Sequence, residues 1–148
     1  MREILFRAKT VKNVHWIWGD LFRAGTEPSD GEFAISYWDD EDGWMNENVQ
    51  PYTIGQFTGL TDKNGKRIFE GDIVECVSWN EYFSKDGKPM EPFRRKMFVD
   101  YRKGGFKMVE PMPEPMKDNE WDIIYNGDIV VIGNIHDDPQ LIDMKRLG

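Results

Sequence analysis

Apolar side chains in this chain recur mainly at every second position, and turn signals rich in Gly, Asn and Asp interrupt them. Successive side chains of a β-strand point to opposite faces, so this period predicts strands, whereas a helix needs an apolar repeat near 3.6. The pattern is plainest where Phe33, Ile35 and Tyr37 alternate with Ala34 and Ser36. We therefore predict a mainly β fold, with a curved or barrel-like antiparallel sheet built from hairpins.

Turn signals predict three hairpins along the chain. The acidic run 39–43 ends in Asp-Gly, and the pair 64–65 is Asn-Gly between two extended segments. These dipeptides readily adopt the positive φ values of tight hairpin turns. A third hairpin is predicted at 103–105, Lys-Gly-Gly, between strands at 94–102 and 106–110.

The last third of the chain carries three further signals. Prolines alternate with other residues at 111–115, which predicts an extended surface connection. Residues 128–132 consist of Asp followed by a continuous apolar run, and we expect a central strand that is covered on both faces. Asp138 before Pro139 has the arrangement of a helix N-cap and first helical position, so a short helix is predicted from Asp138 to Leu147.

The length of 148 residues predicts a single domain, 1–148, with a core that needs no disulfide. Cys76 is the one cysteine, so an internal disulfide framework is excluded. The apolar runs are too short for a membrane span or a secretory signal, and we expect a bacterial-type cytoplasmic protein without a membrane partner.

Several ordered motifs extend over most of the chain. The longest is 53–66, Thr-Ile-Gly-Gln-Phe-Thr-Gly-Leu-Thr-Asp-Lys-Asn-Gly-Lys, followed by Ile-Phe-Glu-Gly-Asp-Ile-Val at 68–74. With residues 1–8 and Val-Ile-Gly-Asn-Ile-His at 131–136, these motifs make the chain resemble the YopX family of phage and prophage proteins. The resemblance implies a mainly β, partly barrel-like fold and a bacteriophage or prophage origin. It implies no established activity and no catalytic residues.

The chain offers few ligands for a transition metal. His15, His136 and Cys76 are its only histidines and thiol, whereas a structural zinc site takes four such ligands. An EF-hand frame on the acidic run fails, because it would put Trp38 and Val49 at ligand positions. We therefore predict no cofactor and no metal site, and interpret the run as a solvated hairpin tip.

The residue types alone suggest two catalytic arrangements. Cys76 and His136 would have to meet as nucleophile and base, and a cysteine in mid-strand is more often a small buried hydrophobe. Asp72 and Asp128 each follow a glycine at the start of a strand and could share a magnesium ion, although each can also cap its own turn. We expect no catalytic residue and keep a metal-dependent nuclease as an alternative.

Charge is distributed unevenly along the sequence. The net charge is −8, yet residues 81–107 hold eight basic and four acidic residues, a net of +4, which leaves −12 on the remainder. Aromatic residues interleaved with these cations suit stacking on bases beside phosphate contacts. The candidate contacts for a nucleic acid or another partner are Lys85, Lys88, Arg94, Arg95, Lys96, Arg102, Lys103 and Lys107.

The acidic remainder would repel a nucleic acid within a Debye length, so a protein partner is the favoured interpretation. We interpret the chain as a phage or prophage accessory protein that binds a macromolecule or self-assembles without catalysis. Its carboxylates could imitate a phosphate backbone towards a host DNA-binding protein, or meet the basic segment of a second copy. Nucleic-acid binding through 81–107 is the alternative.

Overall fold

The structure is a computed structural model that describes residues 2–25, 32–78, 93–123 and 128–142. These residues form eleven β-strands and two short 3-10 turns, Pro51–Thr53 and Pro139–Leu141. The prediction of a mainly β fold is confirmed. Within the described part of the chain, no helix is long and apolar enough to cross a membrane.

The chain divides into two compact units, residues 1–59 and residues 60–148. The first unit is an antiparallel sheet in the order β4-β3-β2-β1-β5. A bridge between Thr10 and Val49 joins the ends of β1 and β4, which bends the sheet around a core that includes Ala8, Ile17 and Ile35. Its strands are β1 (Phe6–Lys9), β2 (Trp16–Arg23), β3 (Phe33–Asp39), β4 (Gly43–Val49) and β5 (Gly55–Thr61), the last of which ends in the second unit.

The second unit contains a five-stranded antiparallel sheet in the order β10-β9-β8-β7-β11, and a short strand, β6, that lies next to β5. One face of the five-stranded sheet is apolar, with Val74, Met97, Val99 and Met108 fully buried. The strands are β6 (Arg67–Phe69), β7 (Asp72–Ser78), β8 (Phe93–Arg102), β9 (Gly105–Glu110), β10 (Asn119–Asp122) and β11 (Ile129–Asn134).

All three predicted hairpins are confirmed. Gly43, Gly65 and Gly104 have φ values of 77°, 82° and 80°, a backbone region that suits glycine. The turn at Asn64-Gly65 belongs to a longer loop, because the carboxylate of Asp62 accepts hydrogen bonds from the backbone N–H groups of Asn64 and Lys66. The proline-rich connection at 111–115 also lies outside regular secondary structure.

Strand β11 is at the edge of its sheet, so its predicted central position is wrong. A short apolar run does not distinguish a central strand from an edge strand whose free side is covered by a loop. Here the loop after β5 provides the cover: Lys63 donates to the carbonyl of Ile129, and the N–H of Val131 donates to Asp62.

The described residues form open sheets and no closed barrel, so only the curved sheet of the original prediction is found. The helix predicted from Asp138 to Leu147 is also not shown. Asp138 makes no side-chain cap; its carboxylate accepts the N–H of Asn134 instead, and a single 3-10 turn ends at Ile142, whose backbone is extended. Residues 143–148 lie outside the described part. The single-domain prediction is not tested, because compact units are not by themselves independent domains.

Candidate functional site

The basic segment chosen from the sequence is largely neutralised by its own sheet. Lys85 and Lys88 lie outside the described residues, and Lys96 is exposed on β8 opposite Glu75. The other five cations form ion pairs with carboxylates of neighbouring strands or, for Arg102, with Asp100 of the same strand. These pairs are Arg94–Glu75 at 2.8 Å, Arg95–Glu110 at 3.3 Å, Arg102–Asp100 at 2.8 Å, Lys103–Glu120 at 3.0 Å, and Lys107–Asp122.

Arg102 is the centre of this network, because it also lies 3.1 Å from Glu120 and 3.6 Å from Asp118. Burial alone would lower the pKa of Arg102, but hydrogen bonds to Asp100 and Glu120 raise it. Hydrogen bonds from Lys103 and Arg102 lower the pKa of Glu120. Each charge therefore stabilises its partner, and little uncompensated positive charge is left for phosphates.

The aromatic residues of the same segment are mostly unavailable for stacking on bases. Phe98 is buried, and Phe106 packs edge-on against Tyr101 with 5.3 Å between ring centroids. Tyr101 is exposed, and it is the only exposed aromatic residue among those of the segment whose side chains are described. The described part of the segment thus offers one base-stacking surface, where a single-strand groove would need several.

The two aspartates of the nuclease alternative lie at opposite ends of one strand pair. Asp72 is opposite Asn134, whereas Asp128 directly precedes Ile129, which is opposite Cys76. Four residues of extended chain separate the two ends, roughly 13 Å. The carboxylate of Asp72 is buried and accepts the N–H of Phe69 at 2.8 Å, as expected for a turn cap. These aspartates therefore cannot share one magnesium ion.

Cys76 and His136 are separated in the same way. His136 lies beside Gly71, at the Asp72 end of β7, and Cys76 is near the other end. Burial raises the pKa of the Cys76 thiol, the nearby Asp128 raises it further, and Arg95 opposes the shift. A buried thiol that stays protonated is not a nucleophile. The described residues also contain no cluster of three or more His, Cys, Asp or Glu side chains that could hold a metal ion.

A different surface of the first unit carries an unusual concentration of exposed tryptophan. Strand pairing aligns Trp38 on β3 with Trp44 on β4, and Asp20 on β2 with Ser36 on β3, so all four share one face. Trp18 lies on the same face two residues before Asp20. Between them, Gly19 has no room for a Cβ, which would clash with the carbonyl of Ser36.

These side chains line an open groove of about 580 Å³, which we call the tryptophan groove. Trp18, Trp38 and Trp44 are 50%, 60% and 67% exposed. The rings of Trp38 and Trp44 meet edge to face, with centroids 5.6 Å apart and planes at 80°, so each keeps a free surface. The groove is lined by His15, Trp16, Ile17, Trp18, Gly19, Asp20, Ser36, Tyr37, Trp38 and Trp44.

One end of the tryptophan groove is strongly acidic. The hairpin turn beyond Trp38 and Trp44 is tied by Asp39, whose Oδ1 accepts the N–H groups of Glu41 and Asp42 at 2.8 and 3.0 Å. This bond pattern leaves the side chains of Asp40, Glu41 and Asp42 exposed. None of these three carboxylates forms an ion pair with a described residue.

A hydrogen-bonded network stabilises the other side of the groove. Tyr37 donates its hydroxyl to Oε2 of Glu47 at 2.5 Å, and this bond, with burial and nearby carboxylates, raises the pKa of Tyr37 to about 12. Nε2 of His15 is 3.8 Å from the same oxygen, and Nδ1 of His15 is 3.2 Å from Oγ1 of Thr10. The bond from Tyr37 to Glu47 and the contacts of His15 with Glu47 and Thr10 thus fix these side chains beside the groove.

Our sequence analysis missed the tryptophan groove, although its signal was present. The alternation that places Phe33, Ile35 and Tyr37 on the apolar face assigns Trp38 to the polar face. The tight turn then pairs Trp44 with Trp38. Two tryptophans on a polar face are a sign of binding rather than of core packing.

The structure thus defines a two-sheet antiparallel β protein with an exposed aromatic face, and its described residues form neither of the two catalytic arrangements that the sequence suggested. This chain belongs to the YopX family, because the family model described as YopX protein matches residues 5–143. It is similar in fold to the crystal structure of protein EF1440 from Enterococcus faecalis, with 23% identity, a TM-score of 0.53, and coverage of 97% of this chain and 100% of that chain. No curated protein matches this chain.

Proposed function

We propose that this protein is a non-enzymatic binding module whose docking face for another protein is the tryptophan groove. The observation that carries the proposal is the exposure of Trp18, Trp38 and Trp44 side by side on one sheet face. Tryptophan is enriched among the residues that dominate protein interfaces, because a large rigid ring buries much apolar area at little entropic cost. The bacteriophage or prophage origin and the bacterial cytoplasm that the family resemblance implies belong to the same proposal.

Charge favours a protein over a nucleic acid as the partner. Residues 1–59 contain five Lys or Arg and ten Asp or Glu, a net of −5. This field repels phosphates, and the hairpin tip concentrates it at the end of the groove. Five of the six described cations of the alternative surface are already paired within their own sheet.

An array of immobilised peptides of random sequence, probed with purified protein, tests the proposal. We expect wild-type protein to retain a subset of peptides and the double variant Trp38→Ser, Trp44→Ser to lose them. Tyr101→Ser is the matched control, since Tyr101 is a comparably exposed aromatic residue on the second sheet. Thermal unfolding of all three proteins establishes that each variant is folded.

Two results would overturn the proposal. The first is retention of the same peptides by the double tryptophan variant, which would exclude the groove as the docking face. The second is the absence of peptide binding by wild-type protein together with salt-sensitive binding of labelled single-stranded DNA, which would favour the basic segment.

A further inference from the structure

We propose that the tryptophan groove recognises arginine side chains of its protein partner, which stack on Trp38 and Trp44 while the carboxylates of the hairpin tip pair with them. This inference rests on the proposed function and adds the chemistry of the partner. It follows from a comparison of the four tryptophans on one sheet face, of which one already has cationic partners and three do not.

Trp16 is a tryptophan of this face whose ring already makes cation–π contacts. Arg7 and Lys9 lie opposite Trp18 and Trp16 on β1, and both reach the ring of Trp16, at 4.8 and 5.6 Å from its centroid. Tryptophan has the most favourable ring for such cation–π contacts. Trp16 therefore has cationic partners within the protein itself.

The remaining rings have no such cation. Trp38 and Trp44 contact each other, and none of Trp18, Trp38 and Trp44 has a cation over its ring among the described residues. The cations on Trp16 come from β1, whereas Trp38 and Trp44 are paired with each other across β3 and β4. Among the described residues, therefore, no cation of the chain itself occupies these rings, and they are open to a cation from a partner.

The charges beside the rings match the same occupant. A Cβ at Gly43 would lie 3.9 Å from the ring of Trp38, so this end of the hairpin turn is beside that ring. Asp40, Glu41 and Asp42 are exposed in the same turn, two to four residues after Trp38, and have no ion-pair partner among the described residues. A planar, positively charged side chain can stack on the rings and pair with the carboxylates at the same time.

Arginine fits this combination better than lysine. Its guanidinium group is planar, stacks on aromatic rings and offers a fork of N–H donors to a carboxylate. Lysine is a compact, strongly hydrated charge that would lose more solvation on the rings. The partner is therefore expected to present arginines in an exposed or extended segment.

Fluorescence anisotropy with a labelled peptide of alternating Arg and Ser tests this inference, with Lys-Ser and Gln-Ser peptides for comparison. We expect binding of the Arg peptide to weaken about threefold with Lys and at least about tenfold with Gln. The variant Asp40→Asn, Glu41→Gln, Asp42→Asn should weaken it about tenfold and reduce its salt dependence. The control Glu114→Gln, Asp128→Asn, Asp137→Asn removes three exposed carboxylates from the second unit and should change affinity less than about twofold.

The outcomes separate this inference from the proposed function. Equal binding of the Arg and Gln peptides, or peptides from the random array that need the groove but contain no arginine, would overturn the arginine specificity alone. Binding of the Arg peptide that is unchanged in Trp38→Ser, Trp44→Ser would overturn both. An equal loss in the two triple carboxylate variants would show non-specific attraction to net charge and overturn the role of the hairpin tip.

Discussion

Asp62 connects parts of the second unit that are far apart in sequence. Its carboxylate is buried, Oδ1 accepts the N–H groups of Asn64 and Lys66 at 2.9 Å each, and Oδ2 accepts the N–H of Val131 at 3.0 Å. Burial alone would raise the pKa of Asp62, but the bonds from Val131, Lys66 and Asn64 lower it. One side chain thus shapes a turn and closes the edge of β11.

The variant Asp62→Asn should separate these two roles. The amide oxygen can still accept both turn bonds, whereas the amide nitrogen would face the N–H of Val131, donor against donor. We expect a loss of about 1–3 kcal/mol in the free energy of unfolding, measured in urea. We also expect faster hydrogen exchange at the Val131 amide, and unchanged exchange there would contradict the assigned geometry.

The same bonds predict a dependence on pH. The folded-state pKa of Asp62 lies below the ordinary aspartate value of 3.8, so its contribution is fully present above about pH 5 and is lost as the pH falls through the folded-state pKa. The difference in stability between wild type and Asp62→Asn should therefore shrink below about pH 4. A difference that stays constant down to about pH 2 would show that the carboxylate charge is not involved.

At the scale of the strands, several charged side chains of the five-stranded sheet form one connected network of ion pairs. Arg102 on β8 is surrounded by Asp100, Asp118 and Glu120, and the last of these also pairs with Lys103. The variant Arg102→Met should raise the pKa of Glu120 towards its usual value, because it removes one of the two cations that lower it. Carboxyl NMR titration measures this shift, with Arg94→Met, which lies away from Glu120 on the same strand, as the control. An unchanged pKa of Glu120 would contradict the network.

The elements that the sequence predicted correctly are those set by local chemistry. Gly43, Gly65 and Gly104 determine where the hairpins turn, because the positive φ there excludes most other residues. The apolar alternation then assigns each strand its buried face. The edge position of β11 was not predictable, since it depends on the pairing with β7, and Asp62, which covers the free edge, lies 69 residues from Val131 in sequence.

The candidate site shows the same division between local and long-range information. The described cations of the basic segment lie on β8, on β9 and in the turn between them, but their neutralisation depends on the register between four strands. Trp38 and Trp44, by contrast, face each other across a turn that the sequence does specify. Period-two parity and the turn together therefore predict that Trp38 and Trp44 share one face, whereas no local signal predicts Asp118 and Glu120 as partners of Arg102.

At the scale of the whole molecule, charge and exposed aromatic area are concentrated in the same unit. Residues 1–59 carry −5 of the total charge of −8, and they also hold the three exposed tryptophans. In the second unit, several cations and carboxylates form ion pairs across one sheet. The two halves of the chain are therefore expected to differ in what they offer to a partner, and the first is the one suited to binding.

The most direct test of this account is the two-dimensional ¹H–¹⁵N NMR spectrum of the tryptophan indole groups, recorded while the Arg-Ser peptide is added. Single Trp→Phe variants assign the indole signals. We expect the signals of Trp18, Trp38 and Trp44 to shift together in a saturable manner, while that of Trp121, which packs against Arg95 on the second sheet, stays in place. A shift of the Trp121 signal without movement of the three groove signals would contradict the central claim.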